Sequence, residues 1–188
     1  MNSNLVTRKM SRTKFVVTVG VFAAIAFILQ MFGSFLKSIG ISVGGFLEVE
    51  FSEVPALIIS MAYGPLAGIV VELLKNIIHC FVTTTGFVGE FANFVINGIL
   101  CFSAGIIYKY NKTYKGGVMA LLCSSLIMAI TSVFVNRFIM LPLYMPQAEE
   151  AVMANIIATT IFPFNVARGL LLTFLTMVLY KRISRIIK

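Results

Sequence analysis

Aspartate is missing from this chain of 188 residues, and histidine occurs once. Without aspartate no Ser–His–Asp triad can be assembled. The helical zinc pattern HExxH is absent, and so are GxxxxGK(S/T) and GxGxxG, whose backbone amides cradle phosphates. The chain therefore reads as no enzyme, and as able to bind a solute but not to pump it alone. Cysteine is scarce: Cys80, Cys101 and Cys123 sit inside apolar runs at spacings that match no metal or redox motif, so they read as small buried hydrophobes. Internal repeats, low-complexity stretches and soluble-domain linkers are lacking, as is the inverted repeat of many secondary transporters. Charge is scarcest of all. Only 12% of residues are charged against 59% hydrophobic, with a mean hydropathy of +0.98. That balance excludes a soluble domain and predicts an all-α integral membrane protein, a single domain over residues 1–188.

What is present is a series of apolar segments, at about 15–36, 54–63, 65–83, 90–108, 117–144 and 161–180. Gly64-Pro65 separates the second and third, which read either as two helices or as one kinked helix. Charge decides between these. With six transmembrane helices and a cytoplasmic N-terminus, eleven of the fifteen basic residues fall inside: Arg8, Lys9, Arg12 and Lys14; Lys109, Lys112 and Lys115; Lys181, Arg182, Arg185 and Lys188. Five spans would turn the last two clusters outward. The positive-inside rule thus predicts a compact six-helix bundle in the cell membrane with both termini cytoplasmic. A net charge of +8 is accordingly read as lipid-bilayer contact and not as nucleic-acid binding. The segment 54–63 is too short to cross alone, so the preceding loop should fill the outer part of its layer. That loop, residues 41–55, contains Gly44 and Gly45 and is long for so compact a protein; it reads as an extracellular lid, with alternation over Phe46–Phe51 hinting at an extended piece. Residues 146–160 read as an outer loop with a helical turn or two, and Pro163 suits the first turn of the last helix.

The polar residues inside the spans are not scattered. At about 100° per residue, Glu72, Lys75, Asn76 and His79 share one helical face. Glu90, Asn93 and Asn97 follow i, i+3, i+7; Asn136 and Arg137 lie in the fifth segment; Asn165 and Arg168 are spaced i, i+3 in the sixth. In the six-span topology all of these fall in the outer halves of their helices. Intramembrane charges cost about 2.5–3.5 kcal/mol each on insertion scales, so they face a cavity or a partner. Internal pairing, such as Glu72 with Lys75 or Glu90 with Arg137, explains each residue singly; the shared face and depth favour a pocket open to the outside. Asparagine amides offer two donors and an acceptor, which suits a heterocycle edge carrying C=O and N–H groups. The 23 Phe and Tyr residues suit a flat ring. On the first span, Gly20 and Ala24 stand at small-xxx-small spacing with Ala23 beside them, a surface for close approach of another helix.

The segments FSEVPAL (51–57), ELLKNIIH (72–79) and FPFNVARG (162–169), with six helices and small residues on the first, resemble the substrate-binding S components of energy-coupling-factor vitamin transporters, most of all the riboflavin-specific type. The resemblance covers nearly the whole chain. It implies capture of riboflavin as transported ligand, with no cofactor. It implies docking through Gly20, Ala23 and Ala24 onto a membrane coupling subunit that works with two cytoplasmic ATPases; Gly20 replaces the first Ala of the family's AxxxA pattern. It implies that the loop between the first two helices covers the ligand. On that basis Asn165 is expected at the pyrimidine edge of the flavin, Arg168 or Lys75 near ring acceptors, and Asn93, Asn97 and Glu48 at ribityl hydroxyls, with Asn136 completing the site. Three alternatives stand beside this one: an S component for another vitamin such as thiamine or a queuosine precursor, a membrane-embedded enzyme using Glu72 and His79, and an assembly subunit without a solute.

Overall fold

The computed structural model describes residues 11–44, 47–48, 50–83 and 87–187. Helix α1 (Arg12–Ser38) starts where the Ser11 hydroxyl accepts the Lys14 backbone N–H at 3.2 Å. Only one stripe of it is buried: Val19, Ala23, Ala26, Gln30 and Gly33, spaced four and three apart. The rest of its apolar surface faces outward, as a membrane helix requires. A two-residue-per-strand hairpin follows, β1 (Ser42–Val43) against β2 (Leu47–Glu48), antiparallel. The extended piece expected over Phe46–Phe51 is present at β2; Gly45, Phe46 and Val49 lie outside the described residues.

Helix α2 (Glu53–Tyr63) is the central post of the bundle. Its residues from Glu53 to Met61 are all buried, which explains why the segment is apolar nearly all round: a helix with no solvent or lipid face has no use for a polar stripe. It packs against α1, α3, α4 and α8, introduced here as α3 (Pro65–His79), α4 (Val88–Tyr110) and α8 (Phe162–Ile187). Gly64 joins α2 to α3 at φ +105°, a left-handed angle that favours glycine. The two segments are a folded-back pair and not one kinked helix. A Cβ placed on Gly68 would come within 2.6 Å of Ser60 Cβ and 3.0 Å of the Ala56 carbonyl, whereas twelve residues along one helix would separate Ala56 from Gly68 by about 18 Å.

Small residues let this pair sit tightly on α4. The Ser60 hydroxyl donates to the Cys101 carbonyl at 2.5 Å. Gly105 lies so near Pro65 that an added Cβ would stand 2.8 Å from its Cα, and nearer still to the Ser60 hydroxyl. We expect Gly105→Val to destabilise the fold by about 1–3 kcal/mol through overpacking, read as a lower thermal midpoint in detergent. Gly20→Val, at a site with nothing within 4 Å, should leave the midpoint unchanged. Cys101 and Cys123, like Cys80, are free thiols in the structure.

The remaining rods carry two wide π turns. Helix α5 (Tyr114–Val135) runs through a π turn at Asn136–Met140 into α6 (Leu141–Tyr144), and α7 (Glu150–Ile156) runs through a π turn at Ile157–Ile161 into α8. Each π turn ends two residues before a proline, Pro142 and Pro163. Proline has no N–H to donate and its ring crowds the carbonyl four residues back; one wider turn just before it relieves both. Two expectations are corrected by this. Residues 150–160 are helical and continuous with the last helix, so the loop after α6 ends at Glu149, and Pro163 sits inside a long helical stretch, not in a first turn.

Four stretches, Arg12–Ser38, Val88–Tyr110, Tyr114–Tyr144 and Glu150–Ile183, are long and apolar enough to cross a membrane. At about 1.5 Å per residue, α2 and α3 are each shorter than the roughly 30 Å hydrocarbon core. The protein is an all-helical membrane protein in which the short α2 is enclosed, while the short α3 buries one face and leaves Leu66, Val70, Leu73 and Ile77 exposed.

Candidate functional site

Chemistry gathers at one pole of the bundle, around the N-terminus of α2. Glu53 is the first residue of that helix and is completely buried. The partial positive charge of a helix start favours a carboxylate there, but two full cations do more. Arg168 on α8 places Nη2 2.6 Å from Glu53 Oε1 and 3.0 Å from Glu50 Oε1. Lys75 on α3 places Nζ 3.4 Å from Glu53 Oε1, 2.7 Å from Glu72 Oε2 and 3.0 Å from the Ser52 hydroxyl. From α4, the Asn93 amide donates to Glu50 at 3.0 Å, and the Asn97 amide donates to Glu53 at 2.9 Å. Ser52 Oγ stands 3.1 Å from Glu50 Oε2 and 3.0 Å from Glu53 Oε1.

Three carboxylates thus share two cations, which leaves one acid in excess. Burial, with Glu53 close by, lifts the Glu50 carboxyl above its ordinary range, against the opposing pull of Arg168 and Lys75. Polar capacity is also left over. Glu53 Oε2, Asn97 Oδ1 and Arg168 Nε are buried and make no hydrogen bond among the described residues. The cluster ties the segment between β2 and α2 to α3, α4 and α8 at once. Glu48, one step earlier, ties β2 to α1 through Lys37 at 3.1 Å and the Ser34 hydroxyl at 2.9 Å.

The residues singled out in the sequence fall into three groups. Lys75, Asn93, Asn97 and Arg168 meet in this cluster, with Lys75 fully buried beneath it. Asn136 and Asn165 are buried beside the two π turns, and each donates one amide N–H to its own helix, to Ser132 O at 2.8 Å and Ile161 O at 2.9 Å. No hydrogen bond among the described residues joins either to the acidic cluster. Glu48 stands apart with Lys37. On α1, Gly20 and Ala24 are exposed, whereas Ala23 is 2% exposed and packs inward; the small outer face is Gly20 and Ala24. The pairing of Glu90 with Arg137 does not form. Glu90 meets His79 Nδ1 at 3.0 Å, and Arg137 reaches Glu150. Glu72 and His79 therefore belong to separate pairs, which is no arrangement for joint acid–base work. Glu50, Ser52 and Glu53 join the site without being among the residues expected there from sequence, although FSEVPAL contains two of them. The available signal was a pair of acids three apart at the mouth of a short all-apolar helix.

A bundle of long apolar helices around a short buried post, with a cluster of acids, cations and amides at one pole, defines a membrane solute-binding component. Comparison with known proteins agrees. Residues 14–180 match the family described as ECF transporter, substrate-specific component, and the chain belongs to that family, whose members are transport components and not enzymes. The riboflavin transporter RibU of Staphylococcus aureus (strain TCH60) is 32% identical over 183 residues, covering 95% of this chain and 95% of the relative. The riboflavin transporter FmnP of Bacillus subtilis (strain 168) is 29% identical over 170 residues, covering 86% and 87%. A solved S component of a bacterial ECF transporter superposes with a TM-score of 0.78 at 30% identity, covering 95% of this chain and 99% of that one. The protein is the substrate-specific subunit of an ECF importer.

Proposed function

We propose that this subunit captures riboflavin from outside the cell. The observation that carries the reading is the Arg168 clamp: one guanidinium holds Glu50 and Glu53 of the lid segment against amides of α4. Such a cluster can exchange internal partners for the hydroxyls and ring heteroatoms of a polar aromatic guest. The riboflavin transporters named above support that choice of guest. In this reading Asn165 meets the pyrimidine edge, Arg168 faces ring acceptors, Asn93, Asn97 and Glu48 serve the ribityl chain, and Asn136 bounds the site. Lys75, buried beneath the acids, positions them and does not touch the guest. Residues 41–55 act as the lid, anchored by Glu48 on one side and by Glu50 and Glu53 on the other.

The charge pattern supports six crossings with both ends in the cytoplasm. Gly20 and Ala24 form the face that meets a membrane coupling subunit, which two cytoplasmic ATPases drive. Gly20→Val should abolish co-purification with that subunit while flavin binding persists.

Purified protein should be yellow and should quench flavin fluorescence on titration. Asn165→Ala should weaken binding about tenfold, the cost of leaving flavin donors and acceptors unpaired. Wild-type affinity in that variant would remove Asn165 from the site. A colourless protein that binds thiamine and ignores riboflavin would replace the ligand.

A further inference from the structure

The opposite pole of the bundle carries a feature that solute capture does not use. A cavity of about 420 Å³ opens between the end of α4, the start of α5 and the end of α8. Lys112 and Lys181 stand on it, with Tyr108, Thr113 and Tyr180. A second hollow, of about 560 Å³, follows the seam between α5 and α8 past Val118, Leu170, Phe174 and Val178. The two share Tyr114, Met177 and Lys181, so a cationic recess opens into an apolar trough. Among the described residues no acid lines either one. Neither Lys112 nor Lys181 makes an ion pair among the described residues. The Thr113 hydroxyl is already committed, since it accepts the Gly116 N–H at 3.0 Å as the cap of α5. Tyr180 is 8% exposed, and its ring packs edge-on against Tyr108, whose hydroxyl lies beside its own.

We propose that this pole holds one anionic phospholipid, its phosphate against Lys112 and Lys181, and an acyl chain along Val118, Phe174 and Leu170. Length supports a lipid over a free anion. From Lys181 back to Leu170 is eleven residues, about 16 Å of helix, which matches one leaflet of a hydrocarbon core roughly 30 Å thick. Charge supports an acidic headgroup, because two unpaired lysines flank the recess on the side where basic residues cluster and anionic lipids concentrate. The site is independent of the guest bound at the other pole.

The test uses the full-length protein in detergent, with dioleoylphosphatidylglycerol, dioleoylphosphatidylcholine and inorganic phosphate as probes. Native mass spectrometry should count one retained phosphatidylglycerol, and this lipid should raise the thermal midpoint more than phosphatidylcholine does. Phosphate alone should do nothing. Lys112→Gln combined with Lys181→Gln should lower phosphatidylglycerol affinity roughly tenfold or more, and Val118→Trp should lower it by filling the trough. Lys109→Gln with Lys115→Gln, at the same pole but off the recess, should leave it unchanged. Cooperative melting of each lipid-free variant reports that it is folded. Equal retention of phosphatidylcholine, or unchanged selectivity in the Lys112/Lys181 variant, overturns the proposal. So does stabilisation by phosphate alone, which marks a free-anion site, or an equal loss in the Lys109/Lys115 variant, which marks diffuse surface attraction.

Discussion

Replacing Lys75 by Met should cost about 3–5 kcal/mol of stability, the typical penalty for removing one member of a buried ion pair. Lys75 has no exposed surface, and Glu72 and Glu53, its two ionic partners, have none either. Methionine keeps most of the volume, so packing changes little and the loss is electrostatic. It strands carboxylates in a medium where an unpaired charge is far more expensive than in water. Glu72 loses its one ionic partner among the described residues, while Glu53 keeps Arg168. Adding Glu72→Gln to Lys75→Met should therefore recover a large part of the loss. Thermal unfolding of the four members of this double-mutant cycle measures the coupling directly. A Lys75→Met protein as stable as wild type would mean that water reaches these carboxylates and that the cluster is not enclosed.

Arg168→Met should weaken flavin binding by about 100-fold, since truncating one partner of a buried hydrogen-bonded charge pair costs 2–5 kcal/mol. The side chain does two things at once: it neutralises Glu50 and Glu53, and it fastens the segment before α2 to α8 across 118 residues of sequence. In the proposed reading of that segment as a lid, losing the first raises the cost of closure and losing the second removes what holds it closed. Faster flavin release and easier proteolysis within residues 41–50 should accompany the affinity loss. Arg168→Lys should fall between, because lysine restores the charge but reaches two acids as a point and not as a planar fork. Unchanged affinity and unchanged proteolysis in Arg168→Met would dissociate the clamp from the lid.

Much of this architecture was legible along the chain. The apolar runs located the first five rods to within a few residues, because helix formation in a membrane is a local response to sustained hydrophobicity; the last rod begins eleven residues earlier than its run. Gly64-Pro65 marked the reversal between α2 and α3. Asn93 and Asn97, three and seven residues after Glu90, lay on one face by periodicity alone, and both reach the cluster. Three features did not follow from local pattern. Glu50 and Glu53 looked like loop acids, since a residue preceding a short helix gives no sign that its neighbours will bury it completely. Residues 146–160 read as a loop with a helical turn or two because proline suits the first turn of a helix; the π turn at Ile157–Ile161 instead joins a helix starting at Glu150 to the one that holds Pro163. Ala23 looked like part of an outer face, yet it belongs to the stripe that contacts the core.

Local chemistry along the chain dictates the solvent, most of the rods and the polar faces, because each depends on residues within a few turns of one another. Which acid meets which cation is set by packing alone. Glu53 and Arg168 are 115 positions apart, and nothing local distinguishes that pairing from Glu53 with any other base. It exists because Ala56, Ser60, Gly68 and Gly105 are small enough to let α2 settle between its neighbours at the depth that brings Glu53 beneath the Arg168 guanidinium.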